Sequence, residues 1–574
     1  MGEPAVDVLN IPLVDPKAPW NELIERTKDY SGTPFEPETL ASLATLKKEN
    51  PGKFEDLRSR LKKAGCRVTT LDKALKGESK RGNGRGQKQA DILIRLAQDA
   101  ELFHTPDRES FADLQVDGHR ETWPVRSRGF RDWIEEKFLG ATGSIPNSEA
   151  LQSALSMVEG RARHNGPEQE VYLRVGSMDG RFYLDLCDSK WRAVEIDTQG
   201  WRVVGKSPIR FRRTKGMQSL PEPARNGSID TLRQFLNVGN DKDFVLVVAW
   251  ILAVLRDHGP YPALVLSGEQ GSAKSTFSRI LRSLADPNLA PLRSLPRKDQ
   301  DLFIAANNAH VLNFDNVSTL QPWLSDMLCQ LSTGGGFAVR KLYTDQDEMI
   351  FNASRPIILN GIEEFVTRSD LADRAIFLTL EPILDERRQP EKELWERFEV
   401  EKPGILGVLL DAVSHGIKHL PDTRLESSPR MADFAKWGAA CEGALWEKGT
   451  FLAAYTDNRN EAVDTVIETD PVASAIRSMM EGETEWRGTA TELLQAIKEK
   501  PGAMGYRAGD WPPSPKALSG KVSRVTPSLR KVGIHISRKK EGHERKRVIY
   551  ITRDPEKAPK QPSASSAPPE NDHN

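Results

Sequence analysis

Cysteine is scarce in this sequence. Only four cysteines occur among 574 residues, and no two of them form a CxxC pair; they are Cys66, Cys187, Cys329 and Cys441. This spacing argues against a structural zinc site and against a disulfide framework. Cysteines used in this way are typical of the reducing cytoplasm, where we expect the protein to reside.

A net charge of one sign and long hydrophobic runs are also missing. The formal net charge is −1, so any contact with nucleic acid must come from local basic patches. The longest apolar stretch, Phe244–Leu255, is too short to span a bilayer. The first residues lack the basic segment and apolar core of a signal peptide. We therefore expect a soluble protein with no membrane partner.

The length predicts three to four domains at ~150 residues each. A polar helical segment with a flexible basic linker at Gly77–Lys88 comes first, and an α+β accessory domain with several short strands follows. Next we expect a strand–helix alternation, a helical lid or connector, a basic domain and a Pro/Ser/Ala-rich disordered tail. The expected boundaries are 1–90, 91–228, 229–381, 382–466, 470–553 and 554–574.

Two neighbouring acids, Asp185 and Asp188, lie in the accessory region. Paired carboxylates can hold Mg²⁺ in a polymerase or primase site. No third carboxylate or basic partner stands at a convincing spacing, so we favour a turn between two strands in which the acids are capping or solvated.

The strongest motif is a glycine-rich segment between a predicted buried strand and a predicted amphipathic helix. The strand is Ala263–Ser267 (ALVLS), and the loop GEQGSAKS follows it. Glycines let backbone N–H groups surround a β-phosphate, Lys274 neutralises β/γ oxygens and the Ser275 hydroxyl ligates Mg²⁺. The alternative is an accidental glycine-rich turn. We predict an ATP site formed by Gly268, Glu269, Gln270, Gly271, Ser272, Ala273, Lys274, Ser275 and Thr276.

Two later apolar runs also end in polar residues. AHVLNFDN brings Asp315 to a strand tip, where a carboxylate can hold Mg²⁺ through water. SRPIILNG ends in Asn360, which can orient water near that carboxylate or can simply form an Asn-Gly turn.

Between the two runs, Ser332–Phe351 predicts a hairpin that carries Arg340, Lys341 and Tyr343. These three side chains suit contacts with phosphates and a base, or simply an exposed basic surface.

The C-terminal region concentrates positive charge. Between Lys516 and Arg553, twelve basic residues stand against two acidic ones. Helical patterns followed by a hairpin predict a winged helix that binds duplex DNA, and a solvated or protein-docking face is the alternative. The DNA-contacting candidates here are Lys521, Arg524, Arg530, Lys539, Arg545 and Arg547.

Together, GEQGSAKST, VLNFDN, TGGGFAVRKLYTD, ILNG and DLADRAIFLTL resemble the helicase domain of phage and plasmid primase–helicases, near superfamily 3. The resemblance covers roughly residues 229–381 and extends to bacterial ATP-binding proteins of mobile elements. Ala273 replaces the second glycine of the phosphate loop, and this Ala-Lys-Ser form resembles the loop of MCM helicases. The resemblance implies an α/β fold with an AAA+ P-loop core.

The resemblance also implies roles for individual residues. Asn360 would be the sensor 1 residue, and Arg374 would be an arginine finger that reaches a neighbouring subunit. Arg374 can instead pair with Asp370 or Asp373. Arg368 is a second finger candidate, and Arg430 a sensor 2 candidate. Asn316 stands where AAA+ ATPases usually carry the water-activating Glu, which leaves the base open among Glu269, Asp299 and Asp301.

Two functions follow from these expectations. The first is an ATP-dependent DNA helicase or replication initiator of a mobile element, a homo-oligomer, with a hexamer expected, that holds single-stranded DNA in its pore. The second is a DNA-binding regulatory or defence ATPase that uses ATP as an assembly switch without unwinding. A primase or polymerase has little support, since no clear carboxylate constellation is present.

Overall fold

The computed structural model describes residues 18–80, 84–340, 348–351, 354–362, 365–366, 368–499, 511–541 and 546–554. Two compact units make up the chain: residues 1–104, 108–112 and 124–167 form the first, and residues 105–107, 113–123 and 168–574 form the second. In these described ranges, no helix has the length and apolar character needed to cross a membrane.

The first unit is mainly helical. Its first helices enclose a small apolar core that includes Leu43, Phe54 and Leu61. The predicted linker Gly77–Lys88 is instead helical wherever the structure describes it, as the end of one helix and the start of the next. The elements of this unit are α1 (Ala18–Asp29), α2 (Pro37–Glu49), α3 (Pro51–Lys63), α4 (Val68–Lys80), α5 (Gly84–Leu96), β1 (Glu101–His104), α6 (Arg128–Thr142) and α7 (Ser148–Asn165).

Short strands dominate the start of the second unit. After β2 (Ser110–Val116) and β3 (His119–Pro124), where the chain divides between the units, come six more strands, four of which form the antiparallel sheet β5-β6-β7-β8. The six are β4 (Val171–Tyr172), β5 (Val175–Met178), β6 (Arg181–Asp185), β7 (Ala193–Asp197), β8 (Gly200–Val204) and β9 (Arg210–Phe211).

Asp185 is the last residue of β6, and Asp188 lies in the turn that leads from β6 to β7, close to the predicted turn between two strands. Asp185 accepts hydrogen bonds from the Cys187 backbone and from Arg213, and Asp188 accepts from the backbone and side chain of Arg192. Arginines and backbone amides thus satisfy both carboxylates. This arrangement stabilises the turn.

A four-stranded parallel sheet lies at the centre of the second unit. Its strands are β10 (Ala263–Ser267), β11 (Leu312–Val317), β14 (Ile357–Gly361) and β15 (Ala375–Thr379), in the order β11-β14-β10-β15. Parallel strands buried on both faces are continuously apolar, which is why the three apolar runs named above form β10, β11 and β14. Their carboxyl ends therefore lie along one edge of the sheet.

Helices cover both faces of this sheet. Helix α9 (Asp241–Val254) is the most deeply buried, because every residue from Phe244 to Val254 lies in the core. The predicted hairpin is present as β12 (Phe337–Arg340) antiparallel to β13 (Glu348–Phe351). The remaining helices of this part are α8 (Ile229–Arg233), α10 (Lys274–Ala285), α11 (Asp299–Asn308), α12 (Pro322–Thr333), α13 (Ser369–Ala372), α14 (Glu391–His419), α15 (Ala432–Cys441) and α16 (Thr450–Thr469).

The C-terminal part forms around its own apolar core, to which α16 also contributes Val463 and Ile467. Three helices pack against a three-stranded sheet in the order β16-β18-β17. The short strand β16 was not expected from the sequence. The elements are α17 (Pro471–Met479), β16 (Glu485–Gly488), α18 (Ala490–Lys498), α19 (Pro515–Lys531), β17 (Ile534–Glu541) and β18 (Lys546–Arg553).

Candidate nucleotide site

The loop between β10 and α10 curls around the side chain of Lys274. The Lys274 Nζ donates hydrogen bonds to the carbonyl oxygens of Gly268 (2.7 Å) and Glu269 (2.8 Å) and to the Ser272 hydroxyl (3.1 Å). Partial burial lowers the pKa of Lys274, and the nearby Asp315 acts in the opposite direction. The ammonium group is thus held inside the loop, where incoming phosphate oxygens can replace the carbonyls.

Two glycines allow this loop conformation. Gly268 has φ +146°, and a Cβ there would lie 2.3 Å from the Leu380 carbonyl oxygen. Gly271 has φ +89°, which side-chain-bearing residues rarely adopt. The close approach of Gly268 to the strand β15 and the backbone turn at Gly271 therefore both require glycine.

Ala273 occupies the position at which the sequence motif expects another glycine. Its backbone is left-handed, with φ +60° and ψ 27°, directly before the first residue of α10. The left-handed conformation costs a residue with a Cβ about 1–2 kcal/mol. Ala273 thus keeps the backbone geometry of the loop but lowers the stability of the fold.

We expect Ala273→Gly to stabilise the second unit by about 1 kcal/mol, because glycine adopts the left-handed conformation without steric cost. Chemical denaturation of the full chain measures the change. The control is Ala453→Gly at an exposed position of α16, where the same substitution should destabilise by about 1 kcal/mol. Equal destabilisation by both substitutions would contradict the strain at Ala273.

Ser275, Asp315 and Asn360 meet at the carboxyl edge of the sheet. The Ser275 hydroxyl donates to both carboxylate oxygens of Asp315, at 2.9 and 3.1 Å. The Asn360 Nδ2 donates to Asp315 (3.1 Å) and to the Ser278 hydroxyl (2.8 Å). The phosphate loop and two neighbouring strand ends therefore form one connected polar cluster.

The donor atoms of this cluster suit Mg²⁺. A hydroxyl and a carboxylate are hard oxygen ligands, and protein-bound Mg²⁺ commonly takes one or two such ligands and completes its shell with phosphate and water. The Asn360 Oδ1 is buried and lacks a hydrogen-bond partner within the described part of the chain, so it can accept a hydrogen bond from a water molecule. The residues present thus fit the ion that the phosphate loop implies.

Asn316, directly after Asp315, is exposed and has φ +57°. The register between β11 and β14 shifts between Phe314 and Val317, so Asn316 lies in a bulge. Asparagine adopts this left-handed conformation more readily than glutamate does. The backbone at this position therefore explains the asparagine, and Asn316 offers no carboxylate to the cluster.

Arg374 lies between α13 and β15 and is paired within its own chain. Its Nη1 lies 2.5 Å from the Asp370 carboxylate, and Arg430 reaches the same carboxylate at 2.8 Å. Burial alone would raise the pKa of Asp370, but the hydrogen bond from Arg374 and the charges of both arginines lower it. Arg368 pairs with Asp326 at 2.6 Å. The arginine-finger role of Arg374 stays a prediction, since it concerns a second subunit.

The predicted DNA-contacting side chains differ in their surroundings. Arg524, Arg530, Lys539 and Arg547 are exposed on α19, β17 and β18. Lys521 is partly buried, and its Nζ lies 3.4 Å from Asp470. In the hairpin, Arg340 is the last residue of β12, opposite Glu348. The candidates Lys341, Tyr343 and Arg545 lie outside the described residues.

Sequence reasoning missed several residues around the loop. Ser278, three residues after Ser275 on α10, is buried and bonds Asn360; its helical spacing was the available signal. Asn237 donates to the carbonyl oxygens of Ser272 (3.0 Å) and Glu381 (2.7 Å), and Arg388 lies against Gly271. Neither of these two has a local sequence pattern that marks it.

Fold and site define the class as a mixed α/β protein whose parallel sheet carries a glycine-rich loop at the start of a helix. Residues 229–464 match the family model of the actinomycete integrative conjugative element replication protein, RepA. Residues 472–566 match the model of the RepA C-terminal domain. Over these two ranges the chain is similar to the RepA replication proteins.

No curated protein matches the chain. Among solved structures, the apo A form of the NrS-1 C-terminal region is 13% identical, with a TM-score of 0.37, over 82% of this chain and 100% of that chain. The active helicase Cch of SCCmec type IV is 12% identical, with a TM-score of 0.40, over 79% of this chain and 92% of that chain. These scores are too low to transfer a function.

Proposed function

We propose that this protein is an ATPase that acts on DNA during replication of a conjugative element, most specifically as a helicase or replication initiator. The observation that carries the proposal is the cluster of Lys274, Ser275, Asp315 and Asn360, which combines a cation, two Mg²⁺ ligands and a water-orienting amide around one glycine-rich loop. The RepA family match supports a role in replication.

In this proposal the central sheet is an AAA+ core, with α14–α16 as its helical lid. ATP binds the loop residues 268–276, and the loop amides and Lys274 hold its phosphates. Mg²⁺, held by Ser275 and Asp315, would neutralise charge on the β- and γ-phosphates. Asn360 orients the attacking water, and Arg374 serves a neighbouring subunit of a homo-oligomer, with a hexamer as the expected ring.

DNA contacts would come from two places. The β12–β13 hairpin, with Arg340, would contact single-stranded DNA in the pore. The C-terminal part, whose helices and sheet have the order of a winged helix, would bind duplex DNA through α19 and the β17–β18 hairpin. Exposed cations at Arg524, Arg530, Lys539 and Arg547 support this placement.

ATP turnover measured with and without single-stranded DNA tests the helicase, together with opening of a forked duplex. We expect DNA to stimulate hydrolysis and ATP to drive strand separation.

Arg524→Glu with Arg530→Glu should weaken duplex binding about tenfold or more and reduce the salt slope by about two, at ~0.9 for each lost phosphate contact. Lys392→Glu, an exposed charge reversal on α14, is the control. Unchanged duplex binding in the double variant would contradict the proposed DNA surface.

A regulatory ATPase without unwinding is the second candidate, and Asn316 favours it. The residue after Asp315 carries no carboxylate and has a left-handed backbone that disfavours glutamate, so the usual water-activating Glu is missing. ATP binding with negligible turnover, in the presence and absence of DNA, would select this switch over the helicase.

A further inference from the structure

A cation other than Lys274 lies directly against the phosphate loop. The guanidinium of Arg388 approaches Gly271 so closely that a Cβ on this glycine would lie 3.0 Å from the Arg388 Nη2. Because Gly271 is exposed and has no side chain, the guanidinium can lie directly against the loop backbone. Arg388 lies beyond β15, over a hundred residues further along the chain, in the segment that leads into α14.

This segment is fixed to the loop by the backbone. The Ile383 N–H donates to the Gly271 carbonyl oxygen at 3.3 Å. Asn237 joins the Ser272 carbonyl oxygen (3.0 Å) to that of Glu381 (2.7 Å). The Arg388 Nε in turn donates to the Ile383 carbonyl oxygen at 3.3 Å. The position of Arg388 therefore follows from hydrogen bonds and not from chance proximity of a long surface side chain.

The present partner of Arg388 is easily replaced. Its Nη1 pairs with Asp385 at 3.0 Å, but the Arg388 side chain is 57% exposed and the Asp385 side chain 90% exposed. Ion pairs between such exposed groups are worth little, because water and salt screen them. A polyphosphate on the loop would offer several negative oxygens, and arginine binds phosphate oxygens through two parallel N–H donors.

We propose that Arg388 is a further nucleotide-binding residue, which contacts the phosphates of a nucleotide on the loop from the same subunit that supplies Lys274. The inference rests on the proposed ATP site and deepens it. Arg388 differs from Arg374 and Arg430, which share Asp370 in this chain. Arg388 would thus contact phosphates on the loop of its own subunit, whereas Arg374 is predicted to reach the nucleotide of a neighbouring subunit.

Titration of the full-length protein with Mg-ATP, Mg-ADP and AMP tests this inference. Arg388→Ala should weaken Mg-ATP binding about tenfold to a hundredfold, the range for a lost hydrogen bond to a charged group, and should weaken AMP binding much less. Arg388→Lys should restore only part of the affinity, because lysine lacks the fork of donors. Arg387→Ala removes the neighbouring exposed arginine and should leave binding unchanged.

The outcomes separate the inference from the proposed function. If the unmodified protein binds none of the three nucleotides, the ATP site itself is wrong. If it binds Mg-ATP and Arg388→Ala binds it equally well, the role of Arg388 alone is overturned. An equal loss of ATP and AMP affinity would also overturn the phosphate contact, since it would assign Arg388 to the nucleoside. Circular dichroism and thermal unfolding confirm that each variant is folded.

Discussion

Lys274→Ala should reduce the affinity for Mg-ATP on the order of a hundredfold and abolish turnover. The Lys274 Nζ is the one side-chain cation that donates directly to the loop carbonyls of Gly268 and Glu269 in the described structure. Its removal leaves the phosphate negative charge to backbone amides, the helix dipole and the proposed contact from Arg388, while a hydrogen bond to a charged group is worth about 1.5–3 kcal/mol. Isothermal titration calorimetry measures the affinity, and phosphate release measures the turnover.

The control for this variant is Lys392→Ala. Lys392 is 86% exposed on α14 and pairs only loosely with Glu396, at 3.8 Å. Lys392→Ala removes the same type of side chain at a site without phosphate-loop contacts. Its Mg-ATP affinity and its turnover should therefore match those of the unmodified protein. Unchanged Mg-ATP affinity in Lys274→Ala would remove the nucleotide site, and with it the motor interpretation of the whole chain.

The elements around the loop were predictable because their patterns are local. A buried parallel strand must be apolar throughout, so β10, β11 and β14 are recognisable from their composition, and the polar residue that ends each run marks the sheet edge. This pattern predicts Asp315 and Asn360, whereas Lys274 follows from the glycine-rich motif before α10; Asp315 and Asn360 are hydrogen-bonded in the structure. The hairpin β12–β13 likewise follows from two short apolar runs around a polar turn.

Other features depend on contacts between distant parts of the chain. Asn237 reaches the loop through its side-chain amide, which donates to the Ser272 carbonyl oxygen, and Arg388 lies against Gly271. No short sequence pattern encodes either contact. The basic, glycine-rich stretch Gly77–Lys88 has the composition of a linker, yet its described residues belong to α4 and α5. Glycine costs a helix about 1 kcal/mol per residue, but the lysines and arginines of this stretch are good helix formers, and tertiary context overrides such weak preferences.

Asn316 shows how the structure changes the meaning of a sequence departure. In the sequence it reads as a missing catalytic Glu. In the structure it is also a residue with φ +57° in a bulge of β11, directly after the Asp315 that accepts a hydrogen bond from Ser275. Introducing a Glu there would therefore add backbone strain of about 1 kcal/mol or more as well as a carboxylate. The asparagine is explained by the backbone that positions the neighbouring aspartate.

Asp315→Asn should lower Mg²⁺-dependent turnover by about a hundredfold or more while it leaves nucleotide binding without Mg²⁺ close to that of the unmodified protein. The amide keeps the size of the carboxylate and can still bond Ser275, but it removes the negative charge that a divalent cation requires. Loss of the charge acts on catalysis because the cation neutralises charge that develops on the transferred phosphoryl group. Phosphate release over a range of Mg²⁺ concentrations, beside binding titrations in chelator, separates the two effects.

Asp457→Asn on α16 is the matched control, because it makes the same change at an exposed ion pair with Lys242 of α9. Its turnover should stay at the level of the unmodified protein.

Asp299→Asn, measured by the same assay, tests whether an acid at the start of α11 replaces the missing Glu. A loss of turnover with normal Mg²⁺ dependence would assign Asp299 as the base. If Asp315→Asn kept full turnover at every Mg²⁺ concentration, the carboxylate would have only a structural role, as an acceptor for Ser275 and Asn360. Asp315 would then be removed from the proposed metal site.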